Sequence, residues 1–128
     1  MRYVTPQEVL VLHARVLDES GGLHGVRDVG LLESACMRPQ ATFGGKQLYN
    51  TLFQKTAVLF ESLARNHAFL DGNKRTAVTA TAYFLHKNDY TLTATNKELV
   101  DVALNVATGT MEANDIADWL KKHSKKTK

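Results

Sequence analysis

Residues 76–85 read Thr-Ala-Val-Thr-Ala-Thr-Ala-Tyr-Phe-Leu, a run of ten residues without a charge and with mostly small side chains. A helix that lacks a strongly polar face is usually buried, and small side chains let neighbouring helices approach it closely. The surrounding pattern extends this helix from about Asn73 to Lys87. The stretch therefore predicts a central helix with other helices packed on several of its sides.

Capping residues and apolar spacing predict further helices around this central one. Thr5, Pro6 and Glu8 form a capping box with a proline in the first turn, and Thr95 with Glu98 repeats the capping pattern. Apolar residues then recur at helical intervals. The predicted helices cover residues 6–20, 28–37, 50–65, 73–87, 95–107 and 113–123, with Asn50 as the expected N-cap of the third.

The segment 39–49 has no helical period and contains Gly44-Gly45, so it predicts a long loop or a small β-hairpin. Loops of this length inside a small domain are often functional flaps. Residues 90–93 predict a short extended piece. The predicted fold class is therefore all-α, a compact bundle of about six helices around a buried central helix, with a loop or small hairpin as a flap.

The positive charge of the chain is concentrated at its end. Lys and Arg number 16 against 13 Asp and Glu, but five of the lysines lie in residues 121–128, and residues 1–120 carry 11 cations against 13 acids. We expect a single domain over 1–120 and a solvated Lys-rich tail over 121–128. A body with a net charge of −2 argues against direct nucleic-acid binding and against a helix-turn-helix DNA-binding protein.

Targeting and redox signals are absent from the sequence, which has no long apolar stretch, no charged-then-apolar leader and a single cysteine, Cys36. A membrane span needs roughly 20 apolar residues, and a lone cysteine cannot form an internal disulfide. These features predict a cytoplasmic protein without a membrane partner. Because Cys36 lies on a short apolar face, we expect it to pack rather than to act as a nucleophile.

The first turn of the central helix breaks a local rule. Lys74 and Arg75 place two cations against the positive end of the helix dipole, where each costs about 0.3–1 kcal/mol. Exceptions of this kind concentrate at functional sites. Free backbone N–H groups, Gly72, the amide of Asn73 and the two cations together favour a phosphate site. The alternative is that both cations extend into solvent or pair with nearby acids.

The residues just before this turn add further chemistry, because segment 67–75 reads His-Ala-Phe-Leu-Asp-Gly-Asn-Lys-Arg. Histidine can take a proton near neutral pH, and the carboxylate of Asp71 can hold Mg²⁺. Since nucleotides bring both phosphate and Mg²⁺, these parts fit a transferase that uses a nucleoside triphosphate. Taken alone, His67 would more often be a hydrogen-bonded structural residue. Phe69 is expected to be a buried anchor for the loop.

At these residues the chain resembles the Fic/Doc family. Segment 67–75 matches the His-x-Phe-x-Asp-Gly-Asn-Lys-Arg form typical of its Doc-like (death-on-curing) members, and segments 25–35 and 38–43 look similar as well. The resemblance covers the chain from about residue 5 to residue 119. It implies a toxin of a toxin–antitoxin pair, restrained by a cognate antitoxin whose C-terminal segment lies in a groove of the toxin.

The resemblance also implies a reaction. Adenylylating members carry Gly-Asn-Gly-Arg followed by a second Arg, whereas this chain has Lys74 in place of the second Gly and Val78 in place of the second Arg. The Lys form implies ATP bound in a reversed orientation. The expected reaction is then transfer of the γ-phosphate to a threonine of a protein target, elongation factor Tu, with arrest of translation.

Roles for individual residues follow from the same resemblance. His67 would take the proton of the target hydroxyl as general base, and Asp71 would hold Mg²⁺ or orient that hydroxyl. The helix start would bind the phosphates, the flap 39–49 would align the target peptide, and the two cations would neutralise charge on the transferred group. The implied catalytic residues are His67, Asp71, Lys74 and Arg75, and the implied ATP-binding residues are Gly72, Asn73, Lys74 and Arg75.

Two other functions stay open at this stage. An adenylyltransferase would place AMP on the target hydroxyl, and a non-catalytic module would use the same cleft for a phosphorylated or acidic peptide. A P-loop and a zinc site are excluded, because the required glycine order and the His or Cys spacing are missing. The remaining histidines are expected at the surface or beside helices, namely His13, His24, His86 and His123.

Overall fold

Six α-helices dominate the computed structural model, which describes residues 1–127. The helices are α1 (Pro6–Ser20), α2 (Val29–Met37), α3 (Leu52–Arg65), α4 (Asn73–Lys87), α5 (Asn96–Ala107) and α6 (Ala113–Lys122). Four short strands form two antiparallel pairs, β1 (Thr42–Phe43) with β2 (Lys46–Gln47) and β3 (Tyr90–Leu92) with β4 (Ser124–Lys126). The all-α bundle predicted from the sequence is confirmed. Over residues 1–127, no helix has the length and apolar character needed to cross a membrane.

The helix starts follow the side chains that cap them. Thr5 and Thr95 each accept a hydrogen bond from the N3 backbone and complete the predicted capping boxes. The predicted N-cap of α3 is wrong by one residue, because Thr51 rather than Asn50 accepts from the Gln54 N–H at 3.1 Å. The side chain of Gln54 in turn accepts from the backbone of Asn50 and Thr51, so Asn50 contributes only its N–H.

The centre of the bundle is shared between α3 and α4, and α3 is the more deeply buried of the two. Every residue from Lys55 to Ala64 is buried, and α3 packs against α4, α5 and α6. The sequence predicted α4 as the central helix and α3 as an amphipathic one. That prediction missed the burial of Glu61, which is neutralised inside the bundle by Arg38 at 2.7 Å and Arg65 at 2.9 Å.

The segment 39–49 forms the small hairpin that the sequence offered as one of two choices. Thr42 pairs with Gln47 and Phe43 with Lys46, and the turn at Gly44-Gly45 has φ values of 59° and 80°. Glycine is suited to a two-residue turn with positive φ at both positions. Buried Lys55 of α3 donates to the Gln47 side chain at 2.6 Å and to the Pro39 carbonyl at 3.1 Å, so the base of the hairpin is anchored to the bundle.

The Lys-rich end is more ordered than the sequence indicated. Lys121 and Lys122 belong to the last turn of α6, and residues 124–126 form β4, which pairs antiparallel with β3. The lysine side chains over 121–126 are exposed, as expected of a solvated tail, but their backbone belongs to α6 and to β4, for which the extended piece at 90–92 supplies a partner. Lys128 lies outside the described residues.

Candidate active site

The residues between α3 and α4 form a loop, here called the motif loop (residues 66–72), in front of the start of α4. His67 is exposed on this loop and has φ of 52°, in the left-handed region. A side chain in that region costs about 1–3 kcal/mol, which surrounding contacts must offset. The structure supplies such contacts from α1, from the segment 22–28 and from α4.

Asn73 holds the middle of the motif loop through a reciprocal pair of hydrogen bonds. Its Oδ1 accepts from the Phe69 N–H and its Nδ2 donates to the Phe69 carbonyl, both at 3.0 Å. The sequence predicted this amide as a phosphate donor, whereas the structure gives the side chain a partner within the loop. The backbone N–H of Asn73 stays available at the helix start.

Phe69 is the buried anchor that the sequence predicted, and His13 packs on it. The two rings stack with centroids 3.8 Å apart and an interplanar angle of 8°, and His13 is only 4% exposed. Its Nε2 lies 2.9 Å from the carbonyl oxygen of Asp71, which can only accept, so Nε2 carries the proton.

The surface position expected for His13 is therefore wrong. Its four-residue spacing from buried Val9 and Leu17 was the signal that could have placed it on the inner face of α1.

The carboxylate of Asp71 is fixed by two backbone donors. Oδ1 accepts from Gly72 N–H at 2.9 Å and Oδ2 from Leu23 N–H at 3.2 Å. Asp71 is nevertheless exposed, and each oxygen keeps a further lone pair. Residues 1–127 contain no cluster of three or more potential metal ligands, so any cation here would depend on this one carboxylate. That donor set suits Mg²⁺, which is often held by one or two carboxylates together with substrate phosphates.

The first turn of α4 has no cap of its own. Gly72 at the N-cap has φ of 74° and offers no side chain, and the first backbone bond of the helix runs from Thr76 N–H to the Gly72 carbonyl at 2.9 Å. The N–H groups of residues 73–75 have no partner within residues 1–127. A Cβ at position 72 would lie 3.0 Å from Leu17 Cδ2, a tight contact that a small shift of this side chain could relieve, so the positive φ is the main reason for glycine here. These features form an anion cradle.

Two cations stand beside this cradle without a protein partner. Lys74 and Arg75 are both exposed, and neither forms an ion pair within the described residues. Of the two alternatives to a phosphate site, pairing with nearby acids is not what the structure shows, whereas both side chains do extend into solvent. Their charges and the helix dipole add at one point, so phosphate fits this place by the chemistry of its donors.

A groove of about 690 Å³ begins at these cations and runs along α4 between α1 and α5. Half-buried Val78 forms part of its floor, and Val100 and Leu104 on α5 are 67% and 53% exposed along it. Glu19 of α1 also lines the groove. The groove thus combines a cationic end with an apolar wall.

The fold and the site together define a helical domain in which a histidine-bearing loop faces an uncapped, cationic helix start. Comparison with known proteins identifies this class, because the model of the Fic/DOC family matches residues 3–85. The chain belongs to the Fic/Doc family.

Two curated relatives are both Doc proteins. "Toxin Doc" of Mycolicibacterium smegmatis is 55% identical over 74 residues, which cover 58% of this chain and 57% of that protein. "Protein kinase doc" of Escherichia phage P1 is 34% identical over 122 residues, which cover 95% of each chain. Within its family, the chain is therefore Doc-like over nearly its whole length.

Proposed function

We propose that this chain is the toxin of a toxin–antitoxin pair and transfers the γ-phosphate of ATP to a hydroxyl of a protein target. The observation that carries the proposal is the uncapped anion cradle at residues 72–75, whose two cations form no ion pair within residues 1–127, in the same loop-to-helix segment as exposed His67. The relatives named "Toxin Doc" and "Protein kinase doc" support both the toxin and the kinase part.

Each residue of the candidate site has its own role in the proposed phosphate transfer. His67 takes the proton from the target hydroxyl while that oxygen bonds to the γ-phosphorus, and the bond from phosphorus to ADP breaks. Backbone N–H groups at the start of α4 bind phosphate oxygens, and Lys74 and Arg75 neutralise the charge that develops on the transferred group. Asp71, whose carboxylate is oriented by the N–H groups of Gly72 and Leu23, would hold Mg²⁺. A bound Mg²⁺ would supply further neutralisation of the phosphates.

Lys74 and Val78 favour phosphate transfer over AMP transfer. A second arginine, as in the adenylylating members, would need to stand on α4 at position 78. Val78 is instead an uncharged side chain in the wall of the groove. The chain therefore lacks a guanidinium group at position 78. It has the positive charge of Lys74 at the start of the helix instead.

The antitoxin is proposed to occupy the groove between α1, α4 and α5. The exposed apolar side chains of Val100 and Leu104 would be covered by a peptide segment that also reaches the cations at the helix start. Replacing both with aspartate should abolish co-purification with the antitoxin while leaving the fold intact, because both side chains already face solvent. Retained co-purification of the double variant would place the antitoxin elsewhere.

The direct test is the intact mass of purified elongation factor Tu after incubation with this chain, ATP and Mg²⁺, beside a His67→Ala variant. A gain of one phosphate that the variant does not give would support the proposal. A gain of one AMP would keep the family and overturn the role of Lys74. If the mass is unchanged, the same assay is repeated in a cell lysate with ATP labelled on the γ- or the α-phosphate. If neither label is transferred to a protein, the remaining function is that of a binding module.

A further inference from the structure

Arg27 stands out because it contacts three consecutive carbonyl groups of the motif loop. Its Nε donates to the His67 carbonyl at 2.6 Å, and its Nη2 donates to the Asn66 carbonyl at 3.0 Å. Its backbone N–H donates to the Ala68 carbonyl at 2.7 Å. One residue from a segment 40 positions away thus fixes the backbone on both sides of the His67 side chain.

The contacted backbone is the strained part of the loop. Over residues 1–127, His67 and Asp89 are the two residues other than glycine with positive φ. Without a partner for its carbonyl groups, this segment would relax toward ordinary backbone conformations, and the imidazole would project from a different direction. The guanidinium matches the spacing of two adjacent carbonyls, whereas a lysine ammonium would act as a single point charge.

The rest of the loop is held by other residues. Phe69 is paired with Asn73 and stacked on His13, while Leu70 N–H donates to the Gly25 carbonyl at 3.1 Å. Arg27 is exposed and lies outside the hydrophobic core. Removing its side chain should therefore release the carbonyl groups of residues 66 and 67, while the Ala68 carbonyl keeps its backbone donors and the bundle and the anion cradle stay in place.

We propose that Arg27 is a positioning residue for His67, acting through the loop backbone without contact to ATP or the target. The proposal rests on the proposed function, since it assumes that His67 takes the proton of the target hydroxyl. A small misplacement of a reacting group can cost about 100-fold in rate, so the loss should appear in kcat. The KM for ATP should change by no more than about twofold, because the phosphate-binding residues are untouched.

The test compares Arg27→Ala, Arg27→Lys and the control Arg15→Ala, which removes an exposed arginine of α1 with no partner within the described residues. Phosphate transfer to elongation factor Tu is measured together with hydrogen exchange of peptides covering 66–72. We expect Arg27→Ala to lose about 100-fold in kcat, to exchange faster at 66–68 and to regain activity with added guanidinium but not with methylammonium. The kcat of Arg27→Lys should lie between those of Arg27→Ala and the unchanged chain. Arg15→Ala should match the unchanged chain.

An Arg27→Ala variant with an unchanged kcat, or with unchanged exchange over 66–68, would overturn the proposal. Loss of activity with a lowered melting temperature and no response to guanidinium would also overturn it, since that pattern marks a merely structural residue. If the unchanged chain transfers no phosphate, the proposed function fails instead. The exchange data then still decide whether Arg27 holds the loop.

Discussion

Within residues 67–75, the side chains divide into those that hold the loop and those left free for chemistry. Phe69 and Asn73 face inward and satisfy each other's polar groups, whereas His67, Lys74 and Arg75 stay exposed. This division explains why the sequence motif is longer than its set of reactive groups. The inward-facing residues set the position from which the exposed ones act.

Asn73 offers the sharpest test of this division. Asn73→Ala leaves the Phe69 N–H and carbonyl without their partner and should lower the free energy of unfolding by about 2 kcal/mol. Asn73→Asp keeps the size but turns a second acceptor toward the Phe69 carbonyl. That repulsion should exceed the roughly 0.3–1 kcal/mol that a negative charge gains at a helix start.

Urea unfolding at neutral and at acidic pH measures both effects. The gap between Asn73→Asp and the unchanged chain should narrow as the pH falls, because a protonated carboxyl can donate to the Phe69 carbonyl. The Asn73→Ala gap should not respond in this way. Equal stability of Asn73→Asp and the unchanged chain at neutral pH would contradict the reciprocal pair.

At the scale of elements, the helix limits were predictable from local chemistry, but the buried charges were not. Capping side chains at Thr5, Asp28 and Thr95 act within three residues of themselves, so their pattern is visible in the sequence. Lys55 can be buried because a distant carbonyl accepts a hydrogen bond from its ammonium group. Glu61 can be buried because a distant cation neutralises its carboxylate. No local periodicity reports such partners.

The same reasoning applies to the site. Segment 67–75 is contiguous, so its residues were bound to lie near one another. His13 and Arg27 reach the motif loop from 58 and 40 positions away, and only the packing of α1 and the segment before α2 shows their contacts. The sequence therefore indicated candidate reactive groups and one anchor, Phe69, but not His13 and Arg27, which reach the loop from distant segments.

Glu8 joins the start of α1 to the end of α4 and gives a pH-dependent contribution to stability. Burial alone would raise its pKa, but hydrogen bonds from Lys87, Tyr83 and the Thr5 backbone outweigh that effect and lower the pKa from 4.5 to about 2. A carboxyl with a lowered pKa in the folded state stabilises fully above about pH 4.5 and loses that stabilisation as the pH falls toward 2.

Glu8→Gln should therefore be less stable than the unchanged chain at neutral pH, on the order of 1–2 kcal/mol after allowance for solvent screening. The difference should shrink between about pH 4.5 and pH 2. Asp101→Asn is the matched control, because it removes the exposed ion pair with Lys97 and should change stability by less than about 1 kcal/mol. A Glu8→Gln deficit that persists undiminished at pH 2 would refute the assignment.

At the scale of the whole molecule, the β3–β4 pair and the candidate site lie at opposite ends of α4. The helix has 15 residues, which separates its ends by about 22 Å. Strand β4 also brings lysines to the end remote from the phosphate cradle. Stability contributed by β4 should therefore be independent of catalysis.

A chain ending at His123 tests this independence. It loses the β4 ladder and the hydrogen bond from Thr127 N–H to the Asp89 carbonyl, and should lose about 1–2 kcal/mol of unfolding free energy with transfer activity unchanged. Replacing Lys125 and Lys126 with glutamine keeps the backbone ladder and should leave stability nearly unchanged. If truncation costs nothing, residues 124–127 behave as the solvated tail first predicted.

Under the proposed function, a bound nucleotide would complete the uncapped start of α4. Four other helices begin with a side chain of their own chain as cap, whereas α4 begins at Gly72 without one. Because a ligand bound only to the folded state stabilises it by mass action, ATP should raise the melting temperature and adenosine, which has no phosphate, should not. This protein would then stay folded longer in a cell rich in ATP than in a starved one. The ATP concentration would therefore affect the lifetime of the folded protein as well as its catalytic rate.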